Sequence, residues 1–308
     1  MKKHLIFLLL IICILFLGMN NSNSSQLKKY KVIISKGDVF KKNDNGLKKI
    51  TTGNIITPND SIIADGDYYL LLKGFSGDFI ELNNPGRFVL KNIPGENRFV
   101  DTAFIEGYLN YIVNAIKESD DEIKGFVAGK EKDIPGDKQV DIFFPRTTKV
   151  IDQTLHFFWK SNSSISNYIF RLKSEDNTII LSKMVSDTTF TLDASKYDLL
   201  TNVCYFWDIY DFKNPSTCSE SYCIFYLSQD EIKQIGKDMN RFKNCSGKPE
   251  GPLRLLMFAN YYEKKGLMLN AFKYYSVVLQ KYPDVPEFKK LYNLFLMKNG
   301  VINKYFYK

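Results

Sequence analysis

From Tyr30 onward, hydrophobic and polar positions alternate in short runs that turn-forming residues interrupt. The stretch "YKVIISKGDVFKKNDNGLKKITTGNIITPNDSIIADGDYYLLLKGFSGDFIELNNPGRFVLKNI" is cut by such residues at roughly eight-to-twelve-residue spacing, the signature of an all-β unit. "NDNG" marks a hairpin, because Asn45 and Gly46 tolerate the positive φ of a tight turn. In "DFIELN", Phe79 and Glu81 point one way, and Ile80 and Leu82 the other. The pattern predicts a small sandwich or barrel over 30–100. The period then changes. Phe104, Ile105, Tyr108, Leu109, Ile112, Ala115 and Ile116 share one helical face, so a helix is expected over 101–118, with Asp101 as its N-cap, packed on the β-unit. The charged, Gly- and Pro-containing segment 119–141 reads as a linker.

Alternation resumes over 142–227, with six or seven aromatic-rich strands and Trp159 and Trp207 placed to meet across two sheets. Residues 228–308 are helical. Ser228 and Glu231 have capping-box spacing. Beyond a Gly- and Pro-containing break, Leu255, Phe258, Ala259, Tyr262, Gly266, Ala271, Tyr275 and Pro283 define a helical hairpin. Ala259 and Ala271 permit close approach, Gly266 ends the first helix and Pro283 stops the second. Tyr262 and Tyr275 then pack between the helices. Tyr261 and Tyr274 are left as the neighbours available to a partner. The fold class is therefore multidomain β plus α: two small all-β domains and a C-terminal helical hairpin.

Three resemblances follow from these residues. "GDV" at Gly37 to Val39, "TTGNIITPNDSIIAD" and "GDFIELNNPGRFVL" resemble a FecR-type β-domain, although Asn54 stands where that family has Asp. This resemblance implies a periplasmic β-module without catalysis. "FFWKSNSSISNYIFRLK", "TTFTL" and "YFWDIY" resemble a fibronectin type III (Ig-like) sandwich. The hairpin frame resembles a tetratricopeptide repeat, whose period is about 34 residues. One repeat cannot bury its own face. Its open side should be covered by the Ser228 helix and the last helix, by the Ig-like domain, or by another chain.

Composition narrows the function classes. A hydrophobic share of 44% and a charged share of 25% describe folded domains. The net charge of +8 is spread among 34 acidic and 42 basic residues without a concentrated basic run, which argues against nucleic acid. "MKKHLIFLLLIICILFLG" is a secretory pattern, and its apolar run Leu5–Leu17 is short of the ~20 residues that span a bilayer. Residues 1–25 thus read as a signal peptide or a retained inner-membrane anchor of an exported, periplasmic protein. Ile12 before Cys13 argues against lipidation, which favours a small residue there.

Cys204, Cys218, Cys223 and Cys245 allow two disulfides in three connectivities. The short Cys218–Cys223 loop would leave Cys204 to Cys245, and free buried thiols fit equally. Two histidines, His4 and His156, leave little basis for a nucleophilic triad, and no phosphate-binding Gly loop occurs. The acidic run Glu118 to Glu122 reads as solvated charge. No catalytic, cofactor-binding or metal-ligating residue is expected. The expected function is a non-catalytic scaffold of the cell envelope, similar in architecture to accessory parts of periplasmic flagellar assemblies, that docks a protein through its C-terminal helices. The competing expectation is a module that binds glycan or peptidoglycan through exposed aromatics.

Overall fold

The computed structural model describes residues 28–43, 46–99, 105–117, 140–160, 162, 164–244 and 251–301. The N-terminal apolar run, Asn45, Asp101, Phe104, the acidic run at 118–122, most of the expected linker and Cys245 lie outside the described residues.

The first unit is an antiparallel sheet of β1 (Tyr30–Asn43), β2 (Gly46–Lys49), β3 (Ile55–Ile56), β4 (Ser61–Gly74), β5 (Phe79–Leu82), β6 (Gly86–Val89) and β7 (Arg98–Phe99). Its main path runs β2-β1-β4-β5-β7, with β3 also on β1 and β6 also on β4. The long strands β1 and β4 shift register between Lys36 and Asp38. Gly37 sits at this bulge with φ +84, and a Cβ there would lie 2.5 Å from the Asp67 carbonyl oxygen. Only glycine fits without local rearrangement.

This sheet is buried on both faces. Val32, Val39, Ile62, Leu70, Leu72 and Ile80 form an inner core. Ile34, Tyr69, Leu71, Phe79 and Phe99 on the opposite side belong to the core that includes the C-terminal helices. All four β5 residues are consequently buried. The alternation expected in "DFIELN" is present, but both sides face protein.

The second β-unit comprises β8 (Ile142–Phe144), β9 (Thr148–Val150), β10 (Thr154–Trp159), β11 (Tyr168–Lys173), β12 (Ile179–Val185), β13 (Thr189–Asp193), β14 (Cys204–Asp211) and β15 (Tyr222–Tyr226). A three-stranded sheet, β13-β10-β8, faces a five-stranded sheet, β12-β11-β14-β15-β9, in which β9 runs parallel to β15. Trp207 is fully buried against Phe157, with centroids 4.7 Å apart, while Trp159 packs on Tyr168 at 5.6 Å. The tryptophans therefore anchor separate parts of the core instead of meeting each other.

Helix α1 spans 105–117, followed by α2 (Gln229–Asn244), α3 (Pro252–Lys264), α4 (Met268–Lys281) and α5 (Pro286–Lys298). The capping box forms at α2: the Glu231 N–H donates to Ser228 Oγ at 3.4 Å, and the Ser228 N–H donates to Glu231 Oε2 at 3.0 Å. Helix α3 is buried all round from Pro252 to Tyr262. Such a helix is a core element, not a surface one.

Glu81 fastens α3 to the first unit. Its side chain is 1% exposed, and its Oε1 accepts from Tyr69 OH at 2.7 Å and from the Leu253 N–H at 2.8 Å. The Leu253 amide belongs to the first turn of α3, where free N–H groups and the helix dipole favour a carboxylate. The other end of the helical pair meets the sandwich. The Lys149 N–H donates to the Gly266 carbonyl at 2.9 Å, and Phe272 of α4 stacks on Phe144 at 4.7 Å. The helical pair is thus covered by the sandwich, one of the expected alternatives, and also by the first β-unit and α1, which were not among them. We expect Glu81→Ala to destabilise the protein by about 2–4 kcal/mol, because it leaves Tyr69 OH and an α3 amide without their acceptor. Denaturant unfolding measures this; a change below about 0.5 kcal/mol would show that the carboxylate does not hold α3.

Candidate functional site

The tyrosine cluster resolves into hydrogen-bonded core positions. Tyr261 is 1% exposed, and its hydroxyl donates to buried Asp238 of α2 at 2.8 Å, with its ring edge-on to Phe242 at 5.4 Å. It is therefore not a partner-facing residue, contrary to expectation. The reason is that α3 has protein on every side, so the position next to the hairpin seam faces α2 and α1. Tyr274 is half-buried, stacked on Tyr262 at 5.5 Å and edge-on to Phe258 at 5.3 Å. Tyr275 is buried and donates to Glu263 Oε2 at 3.0 Å. Leu255, Phe258, Ala259, Tyr262 and Ala271 are likewise buried. Gly266 takes φ +77 just beyond α3, and Pro283 is exposed just beyond α4. Burial raises the phenol pKa of Tyr261, Tyr262, Tyr274 and Tyr275 above its ordinary value, so all four are neutral near pH 7. They form a structural seam without an ionised nucleophile.

The cysteines pair differently from the short-loop reading. Cys204 and Cys223 are disulfide-bonded with Cα atoms 5.7 Å apart, and Cys218 is free and exposed. Strand register sets this pairing. Cys204 lies opposite Phe225 and Phe206 opposite Cys223, so the two cysteines are diagonal neighbours on one face of β14 and β15. Cys218 instead bridges to Tyr210 at the other end of the hairpin. His156 is exposed and within 3.0 Å of Thr191 Oγ1. Among the described residues, no group of three His, Cys, Asp or Glu could hold a metal ion.

Sequence reasoning missed the concavity beside α3. It is about 350 Å³ in volume, and Tyr111 of α1, Asn260, Glu263 and Lys264 of α3, and Lys298 and Asn299 at the end of α5 line it. Lys264 lies over the Tyr108 and Tyr111 rings at 4.6 and 5.4 Å, and Lys298 lies over Tyr111 at 5.6 Å. Asn260 is 1% exposed, and its Oδ1 has no hydrogen-bond partner among the described residues. The available signal was polar spacing: Asn260 and Lys264 are four residues apart on a helix and thus neighbours. Burial raises the Glu263 carboxyl pKa above its ordinary value of 4.5, against opposing contributions from Tyr275, Lys298 and Lys264.

No protein-family model matches the chain, and no curated protein matches it. Among solved structures, an Fn3-like protein from Clostridium thermocellum is similar at 12% identity, covering 29% of this chain and 95% of its own, with a TM-score of 0.22. At that score the likeness adds no weight to the strand order already described. No described helix is long and apolar enough to cross a membrane.

Two outcomes test the seam. Tyr261→Phe should cost about 1.5–3 kcal/mol through the lost bond to a charged group, whereas Tyr274→Phe should stay within about 0.5 kcal/mol. Comparable effects in urea unfolding would contradict the assignment. Glu263 should also leave a pH signature. Just above pH 4.5 the folded state holds a proton that the unfolded state releases, so this group's contribution is full below that pH and lost as pH rises through the raised folded value. Glu263→Gln should flatten stability against pH in that window; an unchanged slope would remove Glu263 as its source.

Proposed function

We propose that this chain is a non-catalytic exported scaffold of the bacterial periplasm, with a FecR-like β-module, a fibronectin type III-like sandwich and a tetratricopeptide-like helical pair that docks a protein partner, as part of an envelope or periplasmic flagellar assembly. The concavity on α3 carries this reading. It joins two ammonium groups, the Tyr111 ring and a buried amide oxygen without a donor, beside the Glu263 carboxyl, a lining suited to a protein segment that brings both an acidic group and a hydrogen-bond donor. The docking point is therefore the Lys264 face of the helical layer, not the buried Tyr261.

Because α3 lies in the shared core, deleting the helical tail would unfold the protein and test nothing about docking. A photo-crosslinking amino acid at Lys264, with one at exposed Lys196 of the sandwich as control, tests the reading in the native cell. A discrete protein adduct is expected from position 264 only, and it should weaken in a Lys298→Glu background, which reverses the charge of an exposed lining residue. Adducts to glycan, or identical adducts from both positions, would refute the proposal in favour of a cell-wall module or non-specific contact.

A further inference from the structure

Glu263 is the residue that stands against an anionic ligand in the concavity beside α3. It is the one carboxyl among the described lining residues, next to Lys264 in sequence and sharing the concavity with Lys298. Buried Tyr275 of α4 donates to its Oε2 at 3.0 Å. The cations that face it are Lys264 of its own helix and Lys298 of α5, and both attract its charged form. Tyr111 of α1 is the remaining titratable group in the lining. Both ammonium groups lie over the Tyr111 ring, Lys264 at 5.4 Å and Lys298 at 5.6 Å from its centroid. An incoming acidic group needs these same two ammonium groups. Glu263 is partly buried, so its repulsion of a second anion in the concavity is screened less than that of a surface carboxylate.

We propose that Glu263 is an internal competitor for the partner's acidic group, which makes docking proton-linked: the concavity holds its partner while Glu263 is neutral and releases it as Glu263 ionises. This rests on the docking reading of the same concavity. Position makes the competition specific. An ionised Glu263 offsets one of the two cations that an acidic ligand would meet, whereas a protonated Glu263 leaves both to the ligand and keeps its bond with Tyr275. Burial pushes the Glu263 carboxyl above its ordinary value of 4.5, so its charge changes at a pH where exposed carboxylates are already ionised. Docking and protonation are then reciprocal. An anion that binds better to the neutral form raises the proton affinity of Glu263 further, and the complex takes up a proton as it forms.

The probe is a fluorescent peptide of alternating glycine and cysteic acid, whose sulfonates stay ionised throughout and whose amides supply donors. Its affinity for the full-length chain is read by anisotropy. Glu263→Gln removes the charge and keeps an acceptor for Tyr275. At about pH 8 this variant should bind the probe about 10-fold more tightly than wild type, and the two should converge at about pH 4, where wild-type Glu263 is protonated. Comparing the two chains at each pH cancels the other carboxylates, which titrate in both. Lys298→Glu should weaken binding at both pH values, which ties the probe to the concavity. Equal affinity of wild type and Glu263→Gln at the higher pH would overturn the competition and leave the docking reading standing, as would a difference that persists undiminished at the lower pH. Binding that Lys298→Glu leaves unaltered, or no saturable binding at either pH, would remove the docking reading and this proposal with it.

Discussion

The structure depends on one carboxylate. Glu81 lies on a strand with Phe79, facing away from the core of its own sheet, and accepts from the first turn of a helix 172 residues later in the chain. A buried carboxylate is costly unless it is hydrogen-bonded, and Tyr69 and the Leu253 amide both donate to Oε1 of this one. The bond fixes where α3 enters the core. From there the Gly266 loop meets β9, so the helical pair is held at both ends by different β-units. Three segments that read as separate domains in sequence therefore share one packed centre.

That centre explains why the tyrosines are not a site. An aromatic cluster on a half-exposed helix would leave some rings to solvent. Here Tyr108, Phe242 and Tyr261 close one flank of α3, while Phe258, Tyr262 and Tyr274 close another. Each buried hydroxyl with a carboxylate partner is a neutral donor, and burial keeps it neutral. Charged groups are left outward, at the lysines near the α3 and α5 ends.

Much of the architecture was legible because it rests on local periodicity. The β-hairpins, the Ser228–Glu231 box, the two-sheet unit and the buried Ala259 and Ala271 of the helical pair all follow from residues near one another in sequence. What escaped was set by contacts of large sequence separation. Glu81 was visible beside Phe79, but its partner amide could not be read from spacing. The disulfide followed strand register, which placed Cys204 diagonal to Cys223, instead of following the shorter Cys218–Cys223 loop. Tyr261 was misassigned because a single-repeat frame gives a helix one buried side, whereas α3 has protein all round. Asn260 and Lys264 shared a legible helix face, but the third wall of their concavity comes from α1 and the α5 end.

The complete burial of α3 also constrains how the molecule can be made. Synthesis proceeds from the N-terminus, and the apolar outer surface formed by Tyr69, Leu71, Phe79 and Phe99 gains α1 early but its full helical cover only after residue 252 has emerged. Until then the first β-unit must wait with part of that surface uncovered, a condition that favours capture by the wrong strand or chain. Closure needs contacts across most of the polypeptide, which slows it relative to a helical bundle of the same size. The most vulnerable period for this protein is therefore the interval between completing its first sheet and placing α3, when a holding chaperone would have the most to shield.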